Sequence, residues 1–225
     1  MKKGKLIVIE GTDGSGKQTQ TQLLSTRLLL EGFDNLKISF PCYDSPSSAL
    51  VKMYLAGEFG TNPNDVSAYA AASFYALDRY AAYKTKFGKF YENGGLVLAD
   101  RYTTSNLIHQ AEKFDDDVGR YGFEVWLKGY EYHVLKLPEP DMVIFLNMPV
   151  EFSKKLIENR DNKITNQKQK DIHERDEKHL EKAYEIACIY AKKYHWKEVK
   201  CVEDGVLKTP DKIHEEIYQM VKEIV

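Results

Sequence analysis

The sequence predicts a three-layer α/β fold: a mainly parallel, five-stranded sheet with helices on both faces. Three observations predict it. Short apolar runs alternate with helical stretches from one end of the 225-residue chain to the other. Those runs are continuous rather than alternating in polarity, as expected of strands covered on both faces. The first run leads straight into a glycine-rich loop and then an amphipathic helix, the strand–loop–helix start of a parallel sheet.

The strand candidates are residues 5–9, 36–40, 96–99, 142–147 and 199–202. The first helix, 17–31, carries Leu23, Leu24 and Leu28 on one side, and Gly32 follows where a helix C-cap glycine belongs. Further helices are expected near 47–57, 65–91, 103–113, 119–135 and 150–160. The stretch 171–194 places Leu180, Ala183, Tyr184, Ala187, Tyr190, Ala191 and Tyr194 at helical spacing, a core-facing stripe. The last helix, 210–224, opens on Thr209-Pro210, a capping residue followed by a proline suited to the first turn. It carries Ile213, Ile217, Met220, Val221 and Ile224 inward. Residues 161–170, D-N-K-I-T-N-Q-K-Q-K, are the most polar and least periodic, and are expected to form a mobile lid. The whole chain, 1–225, reads as one domain with that lid at about 160–175.

Lys and Arg number 32 against 34 Asp and Glu, a net charge of −2, so no basic excess asks for nucleic acid or an anionic membrane. The apolar runs are too short to span a bilayer, and the four apolar residues that follow Met1-Lys-Lys are too few for a signal peptide. Cys42, Cys188 and Cys201 are widely spaced and odd in number. They suit neither a zinc site nor a disulfide framework and fit a reducing cytoplasm. His173 and His179 read as solvated surface rather than metal ligands.

Residues 11–17, G-T-D-G-S-G-K, follow the first strand directly. Glycines let the backbone curl with its N–H groups around anionic oxygens. Lys17 then reaches the β- and γ-phosphates, and the helix behind offers its positive end. Gly11, Thr12, Asp13, Gly14, Ser15, Gly16 and Lys17 are the expected cradle of a nucleoside triphosphate, with Gln18 and Thr19 at the helix start. The residue after the lysine is usually Ser or Thr, whose hydroxyl ligates Mg²⁺. Here it is Gln18: its amide oxygen or a water takes that place, or Thr19 does after a small shift in register.

Ligands of open parallel sheets gather at the C-terminal strand ends. Three further segments fall there: F-P-C-Y-D-S-P-S-S from Phe40, A-D-R-Y-T-T-S-N-L-I-H-Q from Ala99 to Gln110, and Glu203-Asp204-Gly205. Asp100 is expected to hold magnesium-bound water or to accept a hydrogen bond, and Arg101 to fork around the phosphate of a second substrate. The alternative is a structural ion pair at a domain edge. Asn106 and Gln110, like Ser105 and His109, lie one helical turn apart and can line one wall of a pocket. Tyr75 and Arg79 share a helix face, an aromatic plate beside a guanidinium that can meet a base. By spacing alone, a core aromatic and a solvated arginine are the plainer reading.

Taken together, these segments resemble the thymidylate kinase family. The resemblance rests on G-T-D-G-S-G-K-Q-T-Q (11–20), F-P-x-Y (40–43), Y-L-A-G-E-F-G (54–60), Y-A-L-D-R (75–79), D-R-Y-T-T-S-N (100–106), P-D-M-V-I-F-L (140–146) and the approach to the lid through Arg160. It implies a homodimer of the P-loop NTPase fold, a three-layer sandwich with a lid over ATP, that transfers the γ-phosphoryl of Mg-ATP to dTMP to give dTDP. It implies that Lys17 holds the transferring group, that Asp13 lies near the acceptor's 3′-hydroxyl and phosphate, and that Asp100 and Arg101 bridge magnesium water and that phosphate. Around dTMP it places Phe40, Tyr75 stacked on thymine, Arg79 on the base and phosphate side, Asn106 at the thymine edge and His109 near the sugar. Arg160 is implied to pack on adenine.

Four departures stand out. Gln18 replaces Ser or Thr, and Cys42-Tyr43 lacks the arginine many members carry there. His109 sits where several relatives have Tyr, which loosens rejection of ribose. Gly14 and the stretch 161–174 leave no arginine in either place where the family keeps its catalytic one. Lys163, Lys168, Lys170 or Arg160 is then the expected transition-state cation. The alternatives are a kinase of another pyrimidine nucleotide or of a deoxynucleoside, or a non-catalytic nucleotide-binding protein of the same fold.

Overall fold

The strands β1 (Lys5–Glu10), β2 (Asn35–Ser39), β3 (Leu96–Asp100), β4 (Met142–Asn147) and β5 (Lys197–Lys200) pair in parallel in the order β2-β3-β1-β4-β5. This architecture is that of a computed structural model, which describes residues 3–158 and 177–225. The expected lid at 160–175, with Arg160, Lys163, Lys168, Lys170 and His173, lies outside those residues, as does the side chain of His179.

Continuous apolar runs form this sheet because both of its faces are covered. Ile7 and Ile9 of β1, Leu98 of β3 and Ile144 of β4 pack on one face with α1 (Lys17–Leu30) and the C-terminal helix, through Leu24, Leu28, Ile217 and Val221. The alternate residues Leu6, Val8, Val97 and Ala99 pack on the other face with Ala82, Phe87 and Tyr91. α1 stops as its sequence requires. Gly32 takes φ 89°, and the N–H groups of Gly32 and Phe33 return to the carbonyls of Leu29 and Leu28, closing the helix end.

The helix expected over 65–91 is α3 (Ala68–Ala82) and α4 (Gly88–Glu92), joined by a π-helical turn at Tyr83–Phe87. The one expected over 47–57 is a short 3₁₀ turn leading into α2 (Ala49–Ala56). α5 (Thr103–His109) is shorter than expected and passes into a 3₁₀ turn. α6 (Asp117–Lys128) continues as a second π-helical turn, Gly129–Val134. α7 (Val150–Glu158) and α8 (Glu177–Lys193) follow, and the alanines of α8 pack on Phe145 and Ile108. After β5 comes a hairpin of β6 (Val202–Glu203) and β7 (Val206–Leu207), then α9 (Pro210–Lys222), capped by Thr209.

Two expectations near the C-terminus change. The last strand begins earlier than 199–202, at Lys197, because pairing with β4 puts Val199 opposite Leu146. Glu203-Asp204-Gly205 does not run on from the last parallel strand. It is the exposed turn of the β6–β7 hairpin, with φ of 49° at Asp204 and 74° at Gly205, as a tight two-residue turn demands. Among the described residues no helix is long and apolar enough to cross a membrane.

Candidate active site

β1 delivers the chain to the phosphate loop at Gly11. Gly14 and Gly16 take φ of 77° and 87°, left-handed values that side chains resist. At Gly14 a Cβ would also lie 2.6 Å from the Ser153 carbonyl of α7, so the loop has no room there for any side chain, arginine included. Lys17 is buried, and its Nζ donates to Thr12 O at 2.6 Å and to Ser15 Oγ at 3.4 Å. Burial first, then the neighbouring Arg101, pull its pKa down to about 7, against the opposing pull of Asp13, Asp100 and Glu10. Gln18 and Thr19 stand exposed at the start of α1. The loop borders a cleft of about 940 Å³ whose far side is Met148, Leu207, Pro210 and Ile213.

A second cleft, of about 550 Å³, opens beside the first at the ends of β2 and β3. Its walls are Phe40 after β2, Tyr75 and Arg79 of α3, and Asn106, His109 and Gln110 of α5 and its end. Gln110 Oε1 is buried there with no donor among the described residues. Arg101 enters it from a left-handed backbone position, φ 67°, unusual for a residue with a side chain and a mark of functional sites. Its Nη2 donates to Asp13 Oδ1 at 2.6 Å, and its Nη1 lies 3.0 Å from His109 Nε2 and 3.4 Å from Ser105 Oγ. Burial disfavours the guanidinium charge, but Asp13, Glu10 and Asp100 outweigh it and hold the group firmly protonated. Asp13 lines both clefts.

Three buried acids shape the site from behind. Glu10, fully buried at the end of β1, accepts from the Gly11 N–H and from the hydroxyls of Thr104 and Ser105, tying the phosphate loop to α5. Asp78 of α3 accepts from the Cys42 N–H at 2.7 Å and fixes the loop after β2. Glu131, in the second π-helical turn, takes Arg79 in a two-point ion pair, Nε to Oε2 at 2.7 Å and Nη2 to Oε1 at 2.5 Å. Arg79 is therefore buried and paired. The plainer expectation of a solvated arginine fails, because its partner is 52 residues away in sequence and invisible to spacing.

The structure thus gathers Asp13, Phe40, Tyr75, Arg79, Arg101, Asn106 and His109 in one cleft, and the residues from Asp13 to Thr19 in the other. Asp100 is buried at the end of β3, accepts from Ser39 Oγ at 3.3 Å, and acts electrostatically on both Lys17 and Arg101. This donor set fits Mg²⁺, a hard cation that keeps several waters and is held by one or two carboxylates plus substrate phosphates.

A binding module needs one nucleotide site, whereas two clefts that abut at one carboxylate bring a donor and an acceptor into reach of each other. That arrangement defines a P-loop phosphotransferase. A family model described as thymidylate kinase matches residues 9–204. The chain is 32% identical over 149 residues to the thymidylate kinase of Mycobacterium tuberculosis, 66% of this chain and 68% of that one. It is 28% identical over 226 residues to a probable thymidylate kinase of Pyrococcus abyssi, 98% of this chain and 97% of that one. The solved thymidylate kinase of Candida albicans shares the fold, with a TM-score of 0.71 at 22% identity over 98% of this chain and 92% of that one. The chain belongs to the thymidylate kinase family, nucleoside monophosphate kinases that phosphorylate dTMP. The non-catalytic reading prompted by Gln18 is thereby set aside.

Proposed function

We propose that ATP occupies the phosphate-loop cleft and dTMP the second cleft, and that the γ-phosphoryl passes between them beside Asp13 and Arg101. One observation carries this reading: Asp13 lines both clefts and bonds Arg101 at 2.6 Å. Lys17 leaves the Thr12 carbonyl for the β- and γ-phosphates. Arg101 turns its fork from Asp13 to the 5′-phosphate of dTMP, and Asp13 stays near the 3′-hydroxyl. The attacking phosphate oxygen is already anionic near neutral pH, so no base is needed, and catalysis is positioning plus charge neutralisation. Tyr75 stacks on thymine over the wall that Phe40 closes, Arg79 and Asn106 face its polar edge, and His109 lies by the sugar. Asp100, through water, and Gln18 would hold Mg²⁺, which when bound neutralises phosphate oxygens.

Residues 160–175 form the lid in this reading. Arg160 packs on adenine there, and Lys163, Lys168, Lys170 or Arg160 itself supplies the cation on the transferring group. The whole chain is one kinase unit that works in the cytoplasm, supported by the free state of its three cysteines. It acts as a homodimer, supported by the large apolar side chains Leu50 on α2 and Leu77 and Tyr80 on α3, which remain exposed. The deciding experiment is ATP-dependent product formation from dTMP, dUMP, UMP, CMP and thymidine. dTMP should lead the panel, and a preference for CMP or thymidine would overturn the assignment of the second cleft.

A further inference from the structure

The acceptor cleft is held from behind by a residue that does not line it. Glu131 is fully buried in the π-helical turn Gly129–Val134, an interruption of helix geometry that often marks functional sites. Four donors converge on its carboxylate. Arg79 Nη2 and Asn106 Nδ2 reach Oε1 at 2.5 and 3.0 Å, and Arg79 Nε and Thr103 Oγ1 reach Oε2 at 2.7 and 2.9 Å. A carboxylate has about four acceptor positions, so Glu131 is saturated.

This saturation dictates what the cleft presents. Arg79 has used Nε and Nη2, and Nη1 is left without a protein acceptor among the described residues. Asn106 Nδ2 also donates to Ala72 O at 3.2 Å. Both neighbours of that amide group, a carboxylate and a carbonyl, can only accept. The amide therefore cannot turn round, and Oδ1 is the end left for the cleft that Asn106 lines. A donor from Arg79 then stands beside an acceptor from Asn106. The O4 and N3–H of thymine or uracil complement that pair, whereas cytosine presents an amine and a bare ring nitrogen, the reverse pattern. A site built for one pattern rejects the other strongly, because its own buried groups are left unpaired.

We propose that Glu131 is the positioning residue that sets base selectivity, by fixing the polarity of the Arg79–Asn106 pair. This rests on the reading that the base of dTMP occupies the second cleft. The test is Glu131→Gln, whose amide brings an N–H among the donors. At either oxygen position its NH₂ group meets an Arg79 N–H, so the Arg79–Asn106 pair is no longer held in one order. The preference for dTMP over dCMP, read as a ratio of Kd values by calorimetry, should fall at least about tenfold, while ATP binding stays within about twofold. Glu131→Asp keeps an acceptor-only carboxylate and should keep most of the preference. Equal weakening of dTMP and dCMP by Glu131→Gln would overturn the proposal, since it would mark Glu131 as structural only. A wild-type protein with no preference for dTMP would overturn the base reading along with it. Independently of any variant, the Asn106 side-chain NH₂ protons in the wild-type protein should exchange slowly by ¹⁵N NMR with and without dTMP. Fast exchange without dTMP would overturn the proposal even if Glu131→Gln failed to fold.

Discussion

On the acceptor side, charged and polar side chains are packed and already paired: Arg79 on Glu131, Arg101 on Asp13, and Asn106 between Glu131 and Ala72. On the donor side the chain offers mainly curled backbone, one buried lysine resting on the Thr12 carbonyl, and the exposed side chains of Gln18 and Thr19. The difference follows from what each cleft must recognise. A triphosphate is the same in every nucleoside triphosphate, and N–H groups with one cation suffice for it. One base among several requires a fixed order of donors and acceptors, which only a packed polar network holds still. The acceptor cleft therefore carries selectivity, and the donor cleft carries the charge used in transfer.

Lys17→Ala breaks that division most sharply. Turnover should fall by about 10³ or more, the scale of losing a cation from a transferring phosphoryl group. The Kd for dTMP should stay within about twofold, and a comparable loss there would mean that the clefts are not separate. Arg101→Ala comes next. The Kd for dTMP should rise about ten- to a hundredfold, as expected when a charged hydrogen bond worth about 1.5–3 kcal/mol is lost. An unchanged Kd would make Arg101 a structural partner of Asp13.

The two clefts should also separate with pH. Lys17 has its pKa lowered to about 7, so it loses charge as pH rises through that value. The phosphates of ATP favour the charged form, so above pH 7 ATP binding should take up about one proton and weaken by at most about tenfold per pH unit. Calorimetry at pH 8.5 in buffers of different ionisation enthalpy checks this, and the uptake should vanish in Lys17→Ala. The same shift acts on folding. Between about 7 and the ordinary lysine value of 10.5 the unfolded chain binds the extra proton, so this group's contribution to stability rises with pH across that window. The smallest expected effect belongs to Gln18→Ser, which restores a hydroxyl and should lower the Mg²⁺ concentration for half-maximal turnover about two- to tenfold. An unchanged requirement would place the metal away from this position.

Much of the donor side was legible in the sequence, because a phosphate loop is local: seven consecutive residues between a strand and a helix carry its chemistry. The central strands were legible for a related reason. Burial on both faces leaves runs such as Leu6–Ile9 without a polar residue, whereas the edge strand β5 buries only Val199 and its bounds slipped. The acceptor side was legible only as a set of residues. Tyr75, Arg79, Asn106 and Gln110 could be named from helical spacing, but not what holds them. Glu131 lies 52 residues from Arg79 and 25 from Asn106, in a turn where nothing in Y-E-Y-H-V marks an acid as buried. Long-range pairing of this kind leaves no periodic trace.

Transfer between two clefts that meet at Asp13 is tested most directly with one molecule in which adenosine and thymidine are joined through their 5′-oxygens by five phosphates. Such a compound should compete with ATP and with dTMP alike, and bind at least about 100-fold more tightly than either nucleotide, because its second half binds at high effective concentration. Competition with only one of the two nucleotides, or binding no tighter than ATP alone, would contradict a shared transfer point at Asp13.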